Sequence, residues 1–319
     1  MLLTESLITE HTDLSKSIFI GYSGGPDSTA LVHLLSILNA KQELNLKAIH
    51  INHNLSKHSS IWENHCIETC SKLNVNLITK SIEIKVDGGG LESASRKARY
   101  RVFEKILTRD DQLLLGHHSD DVAETLIMRL MRGTGPDGME GPKLKRSLGQ
   151  GVLVRPFLGV SKKEILDYLK KHNIDYIKDD SNLSSDFDRN YLRNEIFPML
   201  EKKWNNFSNR VSNFSKIIKD RNDNYSDLMH EKYDDLISNS INLKKLKELS
   251  DPLIADVLRY SIKKCNIAVP NSKIIEEIIK TFVYSSPGPK SKVEWSRSDK
   301  EEVSGQIIYT NGHILISKR

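Results

Sequence analysis

The chain has 319 residues, with 47 Lys and Arg against 42 Asp and Glu, a formal charge of +5, 38% hydrophobic residues and three cysteines. That length exceeds what one compact core usually serves, so two domains are expected, and the apolar fraction excludes wholesale disorder. Three cysteines cannot staple so long a chain, which excludes a secreted disulfide framework and fits a reducing cytoplasm.

Residues 1–16 lack the basic start and apolar core of a signal peptide, and no apolar run approaches a bilayer span. Residues 17–21 (Ser-Ile-Phe-Ile-Gly) read as a buried strand and 28–38 as a helix with helically spaced apolar residues. Residues 47–51 form a second strand, 59–73 a helix, and 77–81 a third, weaker strand. A basic helix over 91–107 leads to a strand at 112–116 and a helix over 119–131. Strands alternating with helices, and little polar alternation within the strands, predict an α/β fold. Its sheet is open, doubly wound, mostly parallel and covered on both faces. A charged, Gly/Pro-rich loop follows at 133–151, then a strand at 152–156 stopped by Pro156. The capping box Ser161-Lys-Lys-Glu164 opens a helix to about His172. Residues 190–262 carry helical apolar spacing, which Pro198 is expected to break. From Pro287 the pattern turns β-like, with runs at 306–309 and 313–316 around the hairpin dipeptide Asn311-Gly312. The expected division is an α/β domain over 1–200 and a mainly helical domain over 201–319 ending in that hairpin.

Ser23-Gly-Gly-Pro-Asp-Ser28 lies between the first strand and the first helix, where open α/β sheets bind ligands. Successive backbone N–H groups there, with a helix N-terminus behind them, cradle a phosphate-type anion. Ser23 and Ser28 add donors, Gly24 and Gly25 permit close approach, and Pro26 begins the helix. Asp27 is out of place in a pure anion site, and makes sense if Mg²⁺ bridges it to pyrophosphate. A capped strand-to-helix turn is the plainer alternative, but it does not account for the whole string. No Gly-x-x-x-x-Gly-Lys-Ser/Thr is present, so this is not a Walker-type loop. Gly133-Thr-Gly-Pro-Asp-Gly138 matches a dinucleotide-binding pattern by letter but follows a helix, so a flexible loop near a site is the better reading.

In Gly116-His-His-Ser-Asp-Asp-Val-Ala-Glu-Thr125 a strand ends, two histidines follow and two aspartates open a helix. Asp120 and Asp121 share a helical face with Glu124. Acids in a first turn complement the helix dipole, but that does not explain the paired histidines. A magnesium or substrate-amine site fits better, and zinc is not favoured without cysteines at zinc-finger spacing. Arg96, Lys97, Arg99 and Arg101 form a basic run around Tyr100. Such a run is usually a solvated face, but beside a nucleotide loop it would clamp phosphate or a nucleic-acid backbone.

The 23–28 string resembles the loop of the PP-loop ATP pyrophosphatase family. Further strings follow in order: His50-Ile-Asn-His-Asn-Leu-Ser56, Gly90-Leu-Glu-Ser-Ala-Ser-Arg-Lys-Ala-Arg-Tyr-Arg101, the 116–125 string and Met128-Arg-Leu-Met-Arg-Gly-Thr-Gly135. Arg155-Pro-Phe157, Asp180-Ser-Asn182 and Arg189-Asn-Tyr-Leu-Arg-Asn-Glu-Ile-Phe-Pro198 complete the series. Together they resemble the tRNA(Ile)-lysidine synthetase family over residues 17–200. The tail, with Lys290, Trp295 and the Tyr309 strand, is more weakly similar to that family's first C-terminal domain. Many members carry a further C-terminal domain, which puts full tRNA discrimination in question for a chain stopping at Arg319.

The resemblance implies a PP-loop (adenine nucleotide α-hydrolase-like) fold in a cytoplasmic enzyme using ATP and Mg²⁺. ATP would adenylate C2–O of the wobble cytidine in an isoleucine tRNA with a CAU anticodon, and free L-lysine would then displace AMP. The expected catalytic residues are Asp27, Asp121, Glu124 and Arg99. Ser23, Gly24, Gly25, Pro26, Asp27, Ser28, Arg96 and Arg189 would bind the nucleotide. Asp27 and Asp121 would hold the metal. Arg193 would help Arg189 hold AMP or tRNA, with an ordinary ion pair to Glu195 as the competing role. No membrane partner is implied, and a homodimer is left open. Rival readings are a PP-loop tRNA thiolation enzyme, against which Cys66 and Cys70 read as helix packing residues, and a non-catalytic tRNA-binding module.

Overall fold

The structure is a computed structural model describing residues 3–54, 57–84, 90–178, 188–296 and 303–319, without the side chain of Glu92. Leu55, Ser56, Gly88, Gly89 and the Asp180-Ser-Asn182 string lie outside the described residues. Two compact units are present, residues 1–219 and 220–319.

The first unit opens with a short helix that the sequence did not signal, α1 (Glu5–Thr9), which buries Leu7 and Ile8. The alternation then runs β1 (Ile18–Gly21), α2 (Pro26–Lys41), β2 (Leu46–Asn52), α3 (Ser59–Lys72), β3 (Asn76–Ser81) and α4 (Gly90–Ile106). It continues through β4 (Gln112–Leu114), α5 (Ser119–Met131), β5 (Lys145–Leu148), β6 (Gly151–Val154) and α6 (Lys162–Lys171). The sheet order is β3-β2-β1-β4-β6-β5, with all pairs parallel except β5 against β6. Both faces are covered, as continuous apolar strands require. Ile18, Ile20, Ala48, Leu114 and Val154 pack into one core with residues of α2, α3 and α6. Their strand neighbours Phe19, Ile49, Leu113 and Leu153 pack on the other face with Tyr100 and Phe103 of α4. The fold class is therefore an open, doubly wound, mostly parallel sheet.

Two expectations change. The 133–151 loop holds a 3₁₀ turn, Pro136–Glu140, and the antiparallel edge strand β5. Polar residues on an edge strand face water, so the segment carries little apolar signal. Pro198 does not end its helix: α7 (Asp188–Tyr191), a π-helical turn (Leu192–Ile196) and α8 (Phe197–Lys203) run on without a break. The wider turn absorbs the hydrogen bond that a proline nitrogen cannot donate. The chain leaves the helical path at Trp204, and Asn206 takes a left-handed conformation before α9 (Phe207–Tyr233).

The second unit contains β7 (Ser240–Asn242), α10 (Leu243–Leu246), α11 (Asp251–Lys264), α12 (Ser272–Ile278), β8 (Lys292–Trp295), β9 (Gly305–Thr310) and β10 (His313–Lys318). The predicted hairpin is β9–β10, with Asn311 and Gly312 both at positive φ as a two-residue turn requires. It forms the centre of a four-stranded antiparallel sheet, β7-β10-β9-β8, so this unit is helical with a small sheet. Ile307, Ile314 and Ile316 of the sheet pack with Val257, Leu258 and Phe282.

Candidate active site

Strand order reverses between β1 and β4, which opens a crevice at their carboxyl ends. The 23–28 loop and the 116–121 turn meet there. Gly24 sits at φ +81°, where other residues are strained, and a Cβ there would lie 2.3 Å from Ile177 Cδ1; its carbonyl accepts the Ile177 N–H at 2.9 Å. Gly116 is required by approach: a Cβ there would lie 2.8 Å from the Asp27 carbonyl oxygen. These two glycines let the loop and the β4 turn close on one another. Ser23 and Ser28 bond side chain to side chain at 3.1 Å, and Thr29 Oγ1 donates to the Gly25 carbonyl at 2.8 Å. Helix α2 starts on Gly25 with Pro26 in its first turn and no side-chain cap, leaving its first N–H groups turned to the crevice.

His118 is the hub of the acidic half. Its Nε2 lies 3.5 Å from Asp27 Oδ1 and 3.5 Å from Asp121 Oδ2, and its Nδ1 lies 3.6 Å from Asp120 Oδ2. Burial disfavours its charge, but the three carboxylates outweigh burial and push its pKa up to about 10, so it is an imidazolium. Burial likewise opposes charge on Asp27, yet His118 and Lys162 hold its carboxyl well below the usual carboxylate range. Lys162 Nζ donates to Asp27 Oδ1 at 2.5 Å. The His118 N–H donates to Asp121 Oδ2 at 3.0 Å, closing the first turn of α5. Glu124, 1% exposed, is chelated by Arg193, whose Nε and Nη2 donate to its two oxygens at 2.7 and 2.8 Å. Arg189 Nε stands 3.6 Å from the same carboxylate, and Arg193 Nη2 also reaches Asp121 Oδ1 at 3.5 Å. Arg193 thus pairs with Glu124, across 69 residues of sequence, and not with its neighbour Glu195, the competing role weighed for it.

The basic half centres on Tyr100. The guanidinium groups of Arg96 and Arg146 each lie 5.1 Å from its ring centroid. Burial raises the phenol, but Arg96, Arg155, Arg99 and Arg146 outweigh it and lower its pKa. Arg155, 3% exposed, donates Nε to His117 Nδ1 at 2.9 Å and Nη1 to the Lys143 carbonyl at 2.7 Å. Burial first, then Arg155, Arg96 and Arg99, drive His117 down to about 3 despite Asp121, so it accepts as a neutral ring. Consecutive histidines therefore differ in charge, one neutral and one cationic. Arg129 lies outside both halves and donates to the Gly138 carbonyl at 2.6 Å, pinning the 3₁₀ turn.

Asp27 and Asp121 converge on one point, and two hard carboxylates beside an anion cradle suit a magnesium ion that draws its other ligands from nucleotide and water. Among the described residues no larger His, Cys, Asp and Glu group could hold an ion. Lys162, Arg146 and Arg155 were missed as site residues. Lys162 had a signal, since it opens a capped helix just after a parallel strand, and Arg155 stood in a quoted motif. Arg146 showed only as the end of a basic stretch over 129–146 near the proposed ATP site, because its strand looked like loop.

Three comparisons bear on these residues. A PP-loop domain profile matches residues 4–200, and a profile described as TilS substrate binding domain matches 241–300. The tRNA(Ile)-lysidine synthase of Buchnera aphidicola subsp. Schizaphis graminum is 35% identical over 294 residues, covering 91% of this chain and 65% of that protein. The chain thus spans just under two thirds of that relative. The synthase of Wigglesworthia glossinidia brevipalpis is 33% identical over 314 residues, covering 94% of this chain and 78% of that protein. Among solved structures, the U34-tRNA thiolase NcsA from Methanococcus maripaludis superposes with a TM-score of 0.53 at 18% identity, covering 67% of this chain and 77% of that one, a likeness of fold. With the switch-point loop, the paired histidines and the acidic helix start all in place, the chain belongs to the tRNA(Ile)-lysidine synthase family of PP-loop proteins.

Proposed function

We propose that the chain uses ATP to join free lysine to C2 of the wobble cytidine in an isoleucine tRNA with a CAU anticodon, through an adenylated base. The observation that carries this reading is the convergence of Asp27 and Asp121 on His118 beside the uncapped N-terminus of α2. Acids and an anion cradle in one crevice suit metal-assisted attack on ATP.

In the first step the cytidine O2 bonds to the α-phosphorus and pyrophosphate leaves with the bridging oxygen. The 23–28 loop and the α2 N-terminus bind the phosphates, with Arg96, Arg99 and Arg189 adding charge. Asp27 and Asp121 would hold Mg²⁺, which supplies charge neutralisation on the phosphates. In the second step the lysine Nε bonds to C2, the C2–O bond breaks, and AMP leaves with that oxygen. Asp121, whose side chain is 27% exposed, would take the amine's proton. Glu124, held by Arg193, fixes the arginine that borders Asp121. We assign catalysis to residues 1–200 and tRNA binding to 201–319, in a cytoplasmic setting. No helix among the described residues is long and apolar enough to cross a membrane.

The thiolation rival gains no support from the cysteines. Cys66 and Cys70 are buried, and burial pushes each thiol up to about 12, opposite to a reactive thiolate. The test is incubation with labelled lysine, ATP and tRNA. Lysine-dependent label in tRNA, with pyrophosphate released in equal amount, is expected. Sulfur transfer, or tRNA binding without either product, contradicts the reading.

A further inference from the structure

A Walker-type loop carries its own lysine beside the phosphates. The 23–28 loop has none, yet an ammonium sits on its acid, brought from another element. Lys162 is the first residue of α6, and its backbone is fixed from two sides. Its N–H donates to Asp120 Oδ2 at 2.9 Å, and the adjacent Val160 carbonyl accepts the Ser119 N–H at 2.8 Å. Ser161 and Glu164 close the capping box around it. The root of the side chain is therefore anchored to α5, while the side chain, with its flexible four-carbon stem, is partly exposed, at 35%.

The ammonium shares Asp27 Oδ1 with the His118 ring, so one carboxylate oxygen faces two cationic groups close to the positive end of α2. A divalent ion that takes Asp27 Oδ1 must displace Lys162, which holds that oxygen at 2.5 Å. Once displaced, the ammonium remains within a side chain's reach of the loop, where the charge it next meets is the bound phosphate.

We propose that Lys162 is an exchangeable placeholder: it occupies the metal's position on Asp27 in the empty site and moves to the terminal phosphates when metal and nucleotide enter. The proposal rests on the ATP-site reading above. Two opposite effects distinguish it from a plain structural ion pair. Removing the ammonium frees Asp27 for metal and deprives pyrophosphate of a contact, whereas loss of a structural bridge would weaken both.

The test measures, on the whole chain, binding of Mn²⁺ alone, of pyrophosphate with Mg²⁺, and of AMP, in wild type, Lys162→Met, Lys162→Gln and Lys162→Arg. Both neutral variants are expected to bind Mn²⁺ alone several-fold more tightly and pyrophosphate about tenfold more weakly, with AMP unchanged and the arginine variant close to wild type. Unchanged or weakened Mn²⁺ binding in both neutral variants overturns the proposal, as does unchanged pyrophosphate binding. Wild type that fails to bind pyrophosphate contradicts the ATP-site reading itself, a result distinct from either.

Discussion

The acidic and basic halves of the crevice solve the problem of gathered charge in opposite ways. Around His118 the carboxylates are matched by protein cations: Lys162 on Asp27, Arg193 on Glu124, and the imidazolium among three aspartates. Around Tyr100, Arg96 and Arg146 meet an aromatic face, and Arg155 meets a neutral imidazole and a carbonyl oxygen. The first half is internally neutralised and must exchange a partner to bind a metal. The second keeps its positive charge available for an anion. Asp121 and the adjoining histidines join them, since Asp121 acts on both His117 and His118.

Substitutions in the acidic half are therefore expected to change chemistry and stability, and those in the basic half to change binding. The largest effect is expected from Asp27→Ala, which should cut lysine transfer by about 1,000-fold or more while tRNA binding stays largely intact. Near-normal transfer in that variant would remove Asp27 from the site. Glu124→Ala strands Arg193 beside Asp121, and a denaturant titration should show a loss of about 2 kcal/mol. Arg146→Ala should leave stability within about 0.5 kcal/mol but weaken tRNA binding and reduce its salt slope by about 1. An unchanged slope would take Arg146 out of the anion face.

A further effect concerns pH. Burial, then Arg99 and His50, hold His53 down to about 4 from its ordinary 6.5, so the folded chain keeps it neutral. The unfolded chain binds more protons between those values, and stability is lost as pH falls from about 6.5 towards 4. His53→Asn should flatten that slope, measured as the difference in denaturation midpoint at the two ends of the window.

Much of this was legible in the sequence because the signals were local. Ile18 to Gly21 running into a Ser-Gly-Gly turn gave both strand and cradle, and Asn311-Gly312 named its hairpin. What stayed hidden depends on contacts across the chain. Edge strand β5 is masked by its polar residues, with Lys145 and Ser147 exposed, Arg146 half-buried and Leu148 alone buried. Short β7 exists only because β10 pairs with it. The ion-pair role weighed for Arg193 was with its neighbour Glu195, because nothing in the sequence brings Glu124 to it. Lys162 was visible as a helix start, but not as the cation on an aspartate 135 positions earlier. Periodicity reports which face is buried, and is silent on which charges meet.

The decisive experiment gives the 319-residue chain ATP, Mg²⁺, labelled lysine and isoleucine tRNA carrying either a CAU anticodon or one without the wobble cytidine. Label is expected in the CAU tRNA alone, with one pyrophosphate released per lysine joined. Pyrophosphate release without label, or equal labelling of both tRNAs, would contradict the proposed function.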